Sequence, residues 1–583
     1  MSSGTASQVW STTPSNLPGA SKIYDFVVAV TQDSINANLS LFVSEGLAGS
    51  ATEFIYAYDI SNNLVPIALN DFLAQSNNVN PFNVPNGTLL TDSSIRALSN
   101  AGFSFGIQAQ IGIPRVSPNV TLPGWVDLSG DKSSQVTFNM MCSTFQVCEM
   151  TYGPRGAIAW TNYSQTPSQP AIFQAAVNLD FTSAPVDTNS AVYTNLPNNV
   201  KQMIMNVGAG AFSLQQLLFD LTTPGLITTF DLPGFDTSSD TYTMIKAKFL
   251  SFYFDQMKAA GTPLLGVSVA NNSAAPWSLQ STSINFEVDA YLNSDGTTST
   301  DEKTLGLATL NYLCLTGGKP QPPPDHFTWN WIAQPEEGSF DGVVSINRDS
   351  LVAYFQNELL PYVTPNCFNI HVTVTVDSNN NITYSYPMTA GQTPTITLNK
   401  GGSDGVTALS FDWSSPSQFS SDQAGLNGDL GKMTVTQRYH MGVQFIGTTI
   451  VITQTQVVWM SISKNLTTDS GNIIDRKKVD TFTFGVTGQG QLTAVLTTAD
   501  TNNDANPSSN AFVNWFIDIN SIISQVESYV RTLVSYTMTD IPLSIVQNFV
   551  LPGGKPFLFS NVAFATPSLD LVAKIKYVDP GSQ

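Results

Sequence analysis

The sequence predicts an α+β chain made of two copies of one domain, each opening with a strand that turns into an amphipathic helix, with strands wrapped along a long helix in the second. Three observations carry this. The stretch Tyr24–Ile35 recurs as Phe340–Leu351 at a constant offset of 316 residues without a gap, with Asp25/Asp341, Val27/Val343, Val28/Val344, Asp33/Asp349 and Ser34/Ser350 identical. A period this long marks a duplicated domain rather than a solenoid. Only 11% of residues are charged, against about 25% in ordinary globular chains, and the Ser, Thr, Asn and Gln that replace them suit strand surfaces and turns. Finally, Ala511–Tyr536 places Phe512, Trp515, Phe516, Ile519, Ile522, Ile523, Val526, Val530, Leu533 and Val534 at three-and-four spacing. That is one apolar stripe on a helix of roughly 40 Å.

Taken in order, residues 1–22 are a polar lead expected to be poorly ordered. Val27–Val30 is an apolar run suited to a buried strand. Thr31 and Asn347 stand where a helix N-cap belongs, and Asp33 and Asp349 fall in the first turn, where the helix dipole favours negative charge. Ile35, Leu39, Phe42 and Val43 follow at helical spacing, as do Leu351, Phe355, Leu359 and Leu360 in the second copy. Alternation predicts strands at Phe103–Ile113, Val136–Met140 and Ala171–Phe181, separated by turn residues. Helical spacing returns at Val200–Val207, Leu214–Leu221 and Met244–Ala260, the last ending at a C-cap glycine, Gly261. Strands at Ser283–Val288 and Thr304–Leu315 close the first domain, 23–318. Residues 319–326, rich in proline, read as a stiff spacer, and the second domain is 327–583. It repeats the opening, then predicts a hairpin of His371–Val376 with Ile382–Tyr386. Strands follow at Met433–Met441, Val443–Ile452, Gln456–Ile462 and from Phe482, then the long helix, then Phe557–Phe559 and Leu569–Tyr577.

The formal net charge of −20, with no compensating basic block, argues against a nucleic-acid partner, whose phosphates need Lys and Arg. It also argues against simple electrostatic docking on anionic lipid. Four cysteines are spread out, with no C-x-x-C. A Cys142–Cys148 bridge across a hairpin is one reading; buried free thiols, packing as small hydrophobes, is the preferred one. The polar N-terminus lacks a signal-peptide core, and no apolar run is long enough to span a membrane. The expected location is therefore cytoplasmic, or outside the cell by a route without a recognisable signal peptide, with peripheral membrane contact left open.

Four stretches carry a family resemblance: the two Tyr/Phe-Asp openings; Phe212–Leu221; Leu310–Leu313 with Trp329-Asn330-Trp331; and Leu551–Phe557 (LPGGKPF). In this order they resemble the TULIP (tubular lipid-binding) superfamily. More closely, they resemble the OrfX and p-forty-seven proteins found beside clostridial neurotoxin genes and in related bacterial clusters. The chain departs from the family in having Tyr24 and Phe340 where a Trp usually precedes the Asp. The resemblance implies two TULIP-like modules, each a long curved antiparallel sheet around a long helix. It also implies lipid binding or an accessory role beside other proteins of a toxin cluster.

Catalytic and metal-binding patterns were weighed against this. Gly102-Phe103-Ser104-Phe105-Gly106 fits G-x-S-x-G, but helical spacing precedes it and a strand follows, the reverse of a nucleophile elbow. Only His326, His371 and His440 are present, without zinc spacing. Asp500–Asp504 begins like a calcium loop, but Ala505 and Ala511 stand where the turn glycine and bidentate Glu belong. Glu287 and Asp289 share a strand face and read as solvated. No enzyme, cofactor or metal is expected. The expectation is non-enzymatic binding of lipid or another long apolar ligand. Candidate groove-lining residues are Ile35, Leu39, Phe42, Leu351, Phe355, Leu359, Phe512, Trp515, Phe516, Ile519 and Ile522, which equally suit a dry core. The alternative is a protein–protein accessory factor with filled grooves, and a hydrolase is the third reading.

Overall fold

The computed structural model describes residues 9–46, 51–129, 135–185, 212–226, 232–259, 264–271, 279–401, 403–425, 430–465, 467–488, 490, 492–504, 533–536 and 557–577. The duplicated strands Phe26–Thr31 and Gly342–Ile346 lie side by side and antiparallel, with Val28 opposite Val344. These two valines are themselves equivalent in the repeat, so a local two-fold axis passes between them. Hydrogen bonds obey the same relation. Thr31 N–H donates to the Asp341 carbonyl at 3.0 Å and Asn347 N–H to the Asp25 carbonyl at 2.9 Å. The Asp25 carboxylate accepts from Thr316 N–H at 2.8 Å, and that of Asp341 from Tyr577 N–H at 2.7 Å.

The two strands are the centre of a six-stranded sheet in the order Ser281–Asp289, Thr309–Thr316, Phe26–Thr31, Gly342–Ile346, Leu571–Tyr577, Phe557–Phe564. All its pairings are antiparallel. Both faces are covered. Phe26, Val28, Val30, Val344 and Ile346 join the main core, while Val27, Ala29, Leu313 and Val343 pack under Leu17, Tyr24, Phe327, Trp331 and Ile332. A strand buried on both sides must be apolar at every position, which is why Phe26–Val30 shows no alternation.

Each central strand leads into a helix, Gln32–Gly46 or Arg348–Val363. The expected caps form: Thr31 Oγ1 accepts Ser34 N–H at 3.3 Å and Asn347 Oδ1 accepts Asp349 N–H at 2.8 Å. Nine further strands form an N-terminal sheet. Helix Asp240–Ala259 packs on it through Phe249, whose ring lies 5.1 Å from that of Phe145 and 5.2 Å from that of Phe173. Seven more form a C-terminal sheet with three long neighbours, Leu430–Ile446, Thr449–Lys464 and Thr467–Val486. One contiguous apolar core runs from the N-terminal sheet through the central sheet to the C-terminal sheet. The chain is α+β and mostly strand.

Several expectations are corrected. Phe212–Leu226 is a strand hydrogen-bonded on both sides, to Ile172–Pro185 and Leu264–Asn271, although Leu214, Leu217, Leu218 and Leu221 fall at helical spacing. Strand partners on both sides outweigh a helical pattern of that length. The expected strand Val443–Ile452 is broken by a turn, because Gly447 takes a positive φ of 58° and folds the chain into a long hairpin. Thr304 belongs to the short helix Glu302–Leu305 rather than to the strand after it. The strand holding Phe482 begins at Thr467. Cys142 and Cys148 lie on one strand, Gln135–Gly153. Six residues of strand put them roughly 20 Å apart, far beyond disulfide reach, and all four cysteines are free and buried.

The described part of the N-terminal lead is docked. Ser11 N–H donates to Phe564 O at 2.9 Å, and Ser15 Oγ and Leu17 N–H each donate to the buried Asp570 carboxylate at 2.8 Å. The proline-rich segment lies against the protein too. Gln321 Nε2 donates to Leu313 O at 2.7 Å, and His326 Nδ1 lies 2.7 Å from Asp289 Oδ1. Val200–Val207 and Gly261 lie outside the described residues, as does 511–532 of the expected long helix; Leu533–Tyr536 are described and are not helical.

Candidate functional site

The inner face of the C-terminal sheet is apolar at both ends and polar between. Alternation places Met433, Val435, Gln437, Tyr439, Met441, Val443 and Phe445 on that face of one strand. Its neighbour contributes Ile450, Ile452, Gln454, Gln456, Val458, Met460 and Ile462. The register sets Gln456 opposite Tyr439 and Arg476, and Gln454 opposite Met441 and Lys478. Directly opposed residues share a face, so Gln437, Tyr439, Gln454, Gln456, Arg476 and Lys478 form one polar band across three strands, with Asp480 at its border. On one flank Met433, Val435, Val458, Met460, Ile462 and Ile474 pack with Phe368 and Ile370. On the other, Met441, Val443, Ile450, Ile452 and Phe482 belong to the main core with Leu351 and Phe355.

Most of the band is tied down. Tyr439 Oη donates to Gln454 Oε1 at 3.0 Å, Gln454 Nε2 to Val534 O at 3.0 Å, and Gln437 Nε2 to Asn366 O at 3.0 Å. Burial pushes the Tyr439 phenol up, so it stays a neutral donor. Ser535 Oγ donates to Asp480 Oδ1 at 2.9 Å, so Val534 and Ser535 cross over the band. Arg476 pairs with Asp504 at 2.8 Å and Lys478 with Asp500 at 2.9 Å. These four residues' neighbourhood includes a cavity of about 340 Å³, lined by Arg476, Lys477, Lys478, Asp500, Thr501, Asn502 and Leu533. Gln456 is the exception. It is fully buried, and among the described residues neither Oε1 nor Nε2 has a hydrogen-bond partner. Gln437 Oε1 and Asp480 Oδ2 are likewise unpaired.

The residues expected to line a groove are distributed as follows. Ile35 and Leu39 are buried in the main core, on the helix that Trp125, Val126 and Leu128 cover. That helix is fixed by Asn36 Nδ2 donating to Val126 O at 3.0 Å. Phe42 lies on the same helix, its side chain outside the described set. Leu351, Phe355 and Leu359 are fully buried in the same core, with the Phe355 ring 6.1 Å from that of Phe445. Phe512, Trp515, Phe516, Ile519 and Ile522 lie outside the described residues. The polar band was missed in the sequence, yet its signal is present there. Gln454 and Gln456 interrupt the apolar phase of Ile450–Ile462, where alternation requires core residues.

Glu287 and Asp289 are not on a solvated face. Glu287 is fully buried, because the outermost strand of the central sheet is covered by the chain around His326 and Phe327. Burial first, and the Asp289 carboxylate second, hold Glu287 well above the usual carboxylate range. Ser104 is buried in strand Phe103–Ile111, directly after helix Ser93–Asn100. Among the described residues no three His, Cys, Asp or Glu are grouped to hold a metal ion, and no helix is long and apolar enough to cross a membrane.

No family model and no curated protein matches the chain in sequence. Among solved structures it is similar to "Structure of P47 from Clostridium botulinum A2", with a TM-score of 0.41 and 10% identity, covering 94% of this chain and 96% of that one. It is also similar to "Crystal structure of lipopolysaccharide binding protein", with a TM-score of 0.25 and 8% identity, covering 95% and 100%. The first is of the p-forty-seven type that the sequence motifs resemble, and the likeness concerns the fold alone.

Proposed function

We propose that the chain binds a long apolar ligand carrying a polar group, without catalysing a reaction, and that the inner face of the C-terminal sheet holds that polar group. The observation carrying this is Gln456, a buried amide with no partner among the described residues, set between two apolar clusters. Leaving a buried polar group unpaired costs about 1–3 kcal/mol, and native interiors satisfy nearly all such groups. An amide kept unpaired at that cost has hydrogen-bonding capacity for something the fold itself does not supply. The ligand's methylenes would contribute about 0.8 kcal/mol each on burial.

A second reading, an accessory protein that contacts other proteins, is favoured by the complete burial of Leu351, Phe355 and Leu359. Positions filled by core packing leave recognition to the surface. Native mass spectrometry of the purified protein, before and after organic extraction, separates the two. A co-purified amphiphile whose loading drops in Gln456→Met supports the first reading. A ligand-free protein that also fails to take up a fluorescent long-chain fatty acid rejects it.

A further inference from the structure

We propose that the opposite, outer face of the C-terminal sheet carries a second site, which takes a small hydroxylated organic anion with its oxyanion between Arg438 and His440. The register builds the site. Thr395, Asp412, His440 and Thr455 are successive cross-strand partners and form one row. Ser414, Arg438 and Val457 form the adjacent row on the same face. These residues, with Trp413 and Tyr439, line a cavity of about 670 Å³. That is more than a bare inorganic ion fills and falls within the range of small-molecule sites.

His440 is oriented for this role. Its Nδ1 lies 2.7 Å from Asp412 Oδ1, and Ser410 Oγ donates to the other Asp412 oxygen at 3.2 Å. The carboxylate accepts a hydrogen bond from Nδ1–H, which fixes the ring and leaves Nε2 for a ligand; in the imidazolium form Nε2–H donates to an oxyanion. Gly442, next along the same face, makes room for the ring: a Cβ there would stand 3.1 Å from Nε2. Arg438 is exposed and has no ion-pair partner among the described residues. Its planar fork suits a carboxylate or phosphate. Thr395, Ser414 and Thr455 supply hydroxyls around the rim, and Val457 an apolar contact. Because the chain as a whole carries −20, its long-range field repels anions, so affinity here would come from this local arrangement and survive moderate salt.

Isothermal titration with inorganic phosphate, with glucose 6-phosphate, and with phosphatidylcholine vesicles containing phosphatidic acid tests the proposal. Glucose 6-phosphate is expected to bind, more tightly than inorganic phosphate. Arg438→Ala and His440→Asn should each weaken it about tenfold or more, as loss of a charge-assisted hydrogen bond does. Lys432→Ala, an exposed cation on the same strand and face, should leave it unchanged. All three positions are on the sheet's outer face, and an unchanged thermal transition checks that each variant folds. The proposal is overturned if neither soluble probe binds, if only vesicles bind, or if Lys432→Ala weakens binding as much as Arg438→Ala.

Discussion

Gln456→Met should make the free protein more stable and a poorer binder. The side chain is fully buried, and among the described residues both ends of its amide lack a partner. Methionine has nearly the same volume, so no cavity opens, and its thioether demands no hydrogen bond. The gain is the removed desolvation penalty, about 1–3 kcal/mol. For a unit the size of the C-terminal half, that raises its thermal midpoint by roughly 2–10 °C. Gln437→Met is the control. It sits on the same face one strand away, but its Nε2 donates to Asn366 O while its Oε1 is unpaired, so the same exchange removes one orphan and creates another and should change stability by less than about 1 kcal/mol. Differential scanning calorimetry of both variants reads the difference. A lowered midpoint for Gln456→Met would mean the amide is satisfied in the native protein, and the proposed ligand contact would lose its basis.

Phe355→Ala should cost about 3–5 kcal/mol in urea denaturation; a loss below about 1 kcal/mol would place Phe355 at an open groove rather than in packed core. Asp25→Ala should cost about 3 kcal/mol, because it orphans Thr316 N–H, Thr316 Oγ1 and Ser350 Oγ, and a neutral result would show that the sheet's centre tolerates the loss. Burial, and then Asp236, push Glu149 up to about 7. A carboxyl raised in the folded state favours folding below its unfolded value, and that contribution is lost as pH rises toward 7. Stability should therefore fall between about pH 4.5 and 7 by an increment that Glu149→Gln removes. Equal pH profiles for the two proteins would refute the assignment.

The centre of the fold was legible because its constraints are local. A fully buried strand must read Phe-Val-Val-Ala-Val, and a helix that follows it needs an oxygen at Thr31 or Asn347, so both copies announce themselves. Phe212–Leu226 was not legible, since spacing that satisfies a helix also satisfies a strand when neighbours on both sides complete its ladder. The docking of Ser15 and Leu17 on Asp570 joins residues more than 550 positions apart, and nothing near either end signals it. Glu287 reads as solvated because the chain that covers it, around His326, comes from the next segment. The polar band falls between these cases. Its glutamines break a visible alternation, but only the register shows that Gln454, Gln456, Arg476 and Lys478 share a face.

The antiparallel pairing of Val28 with Val344 also bears on how the polypeptide must be made. Strand Phe26–Thr31 is apolar on both sides, and one of its two edges closes only when Gly342–Ile346 arrives. On the ribosome that edge stays open for some three hundred residues of synthesis, a template for pairing with another nascent chain. A fragment ending in the proline-rich segment would expose the same edge permanently. The two halves are therefore expected to aggregate when expressed separately, and to dissolve when expressed together.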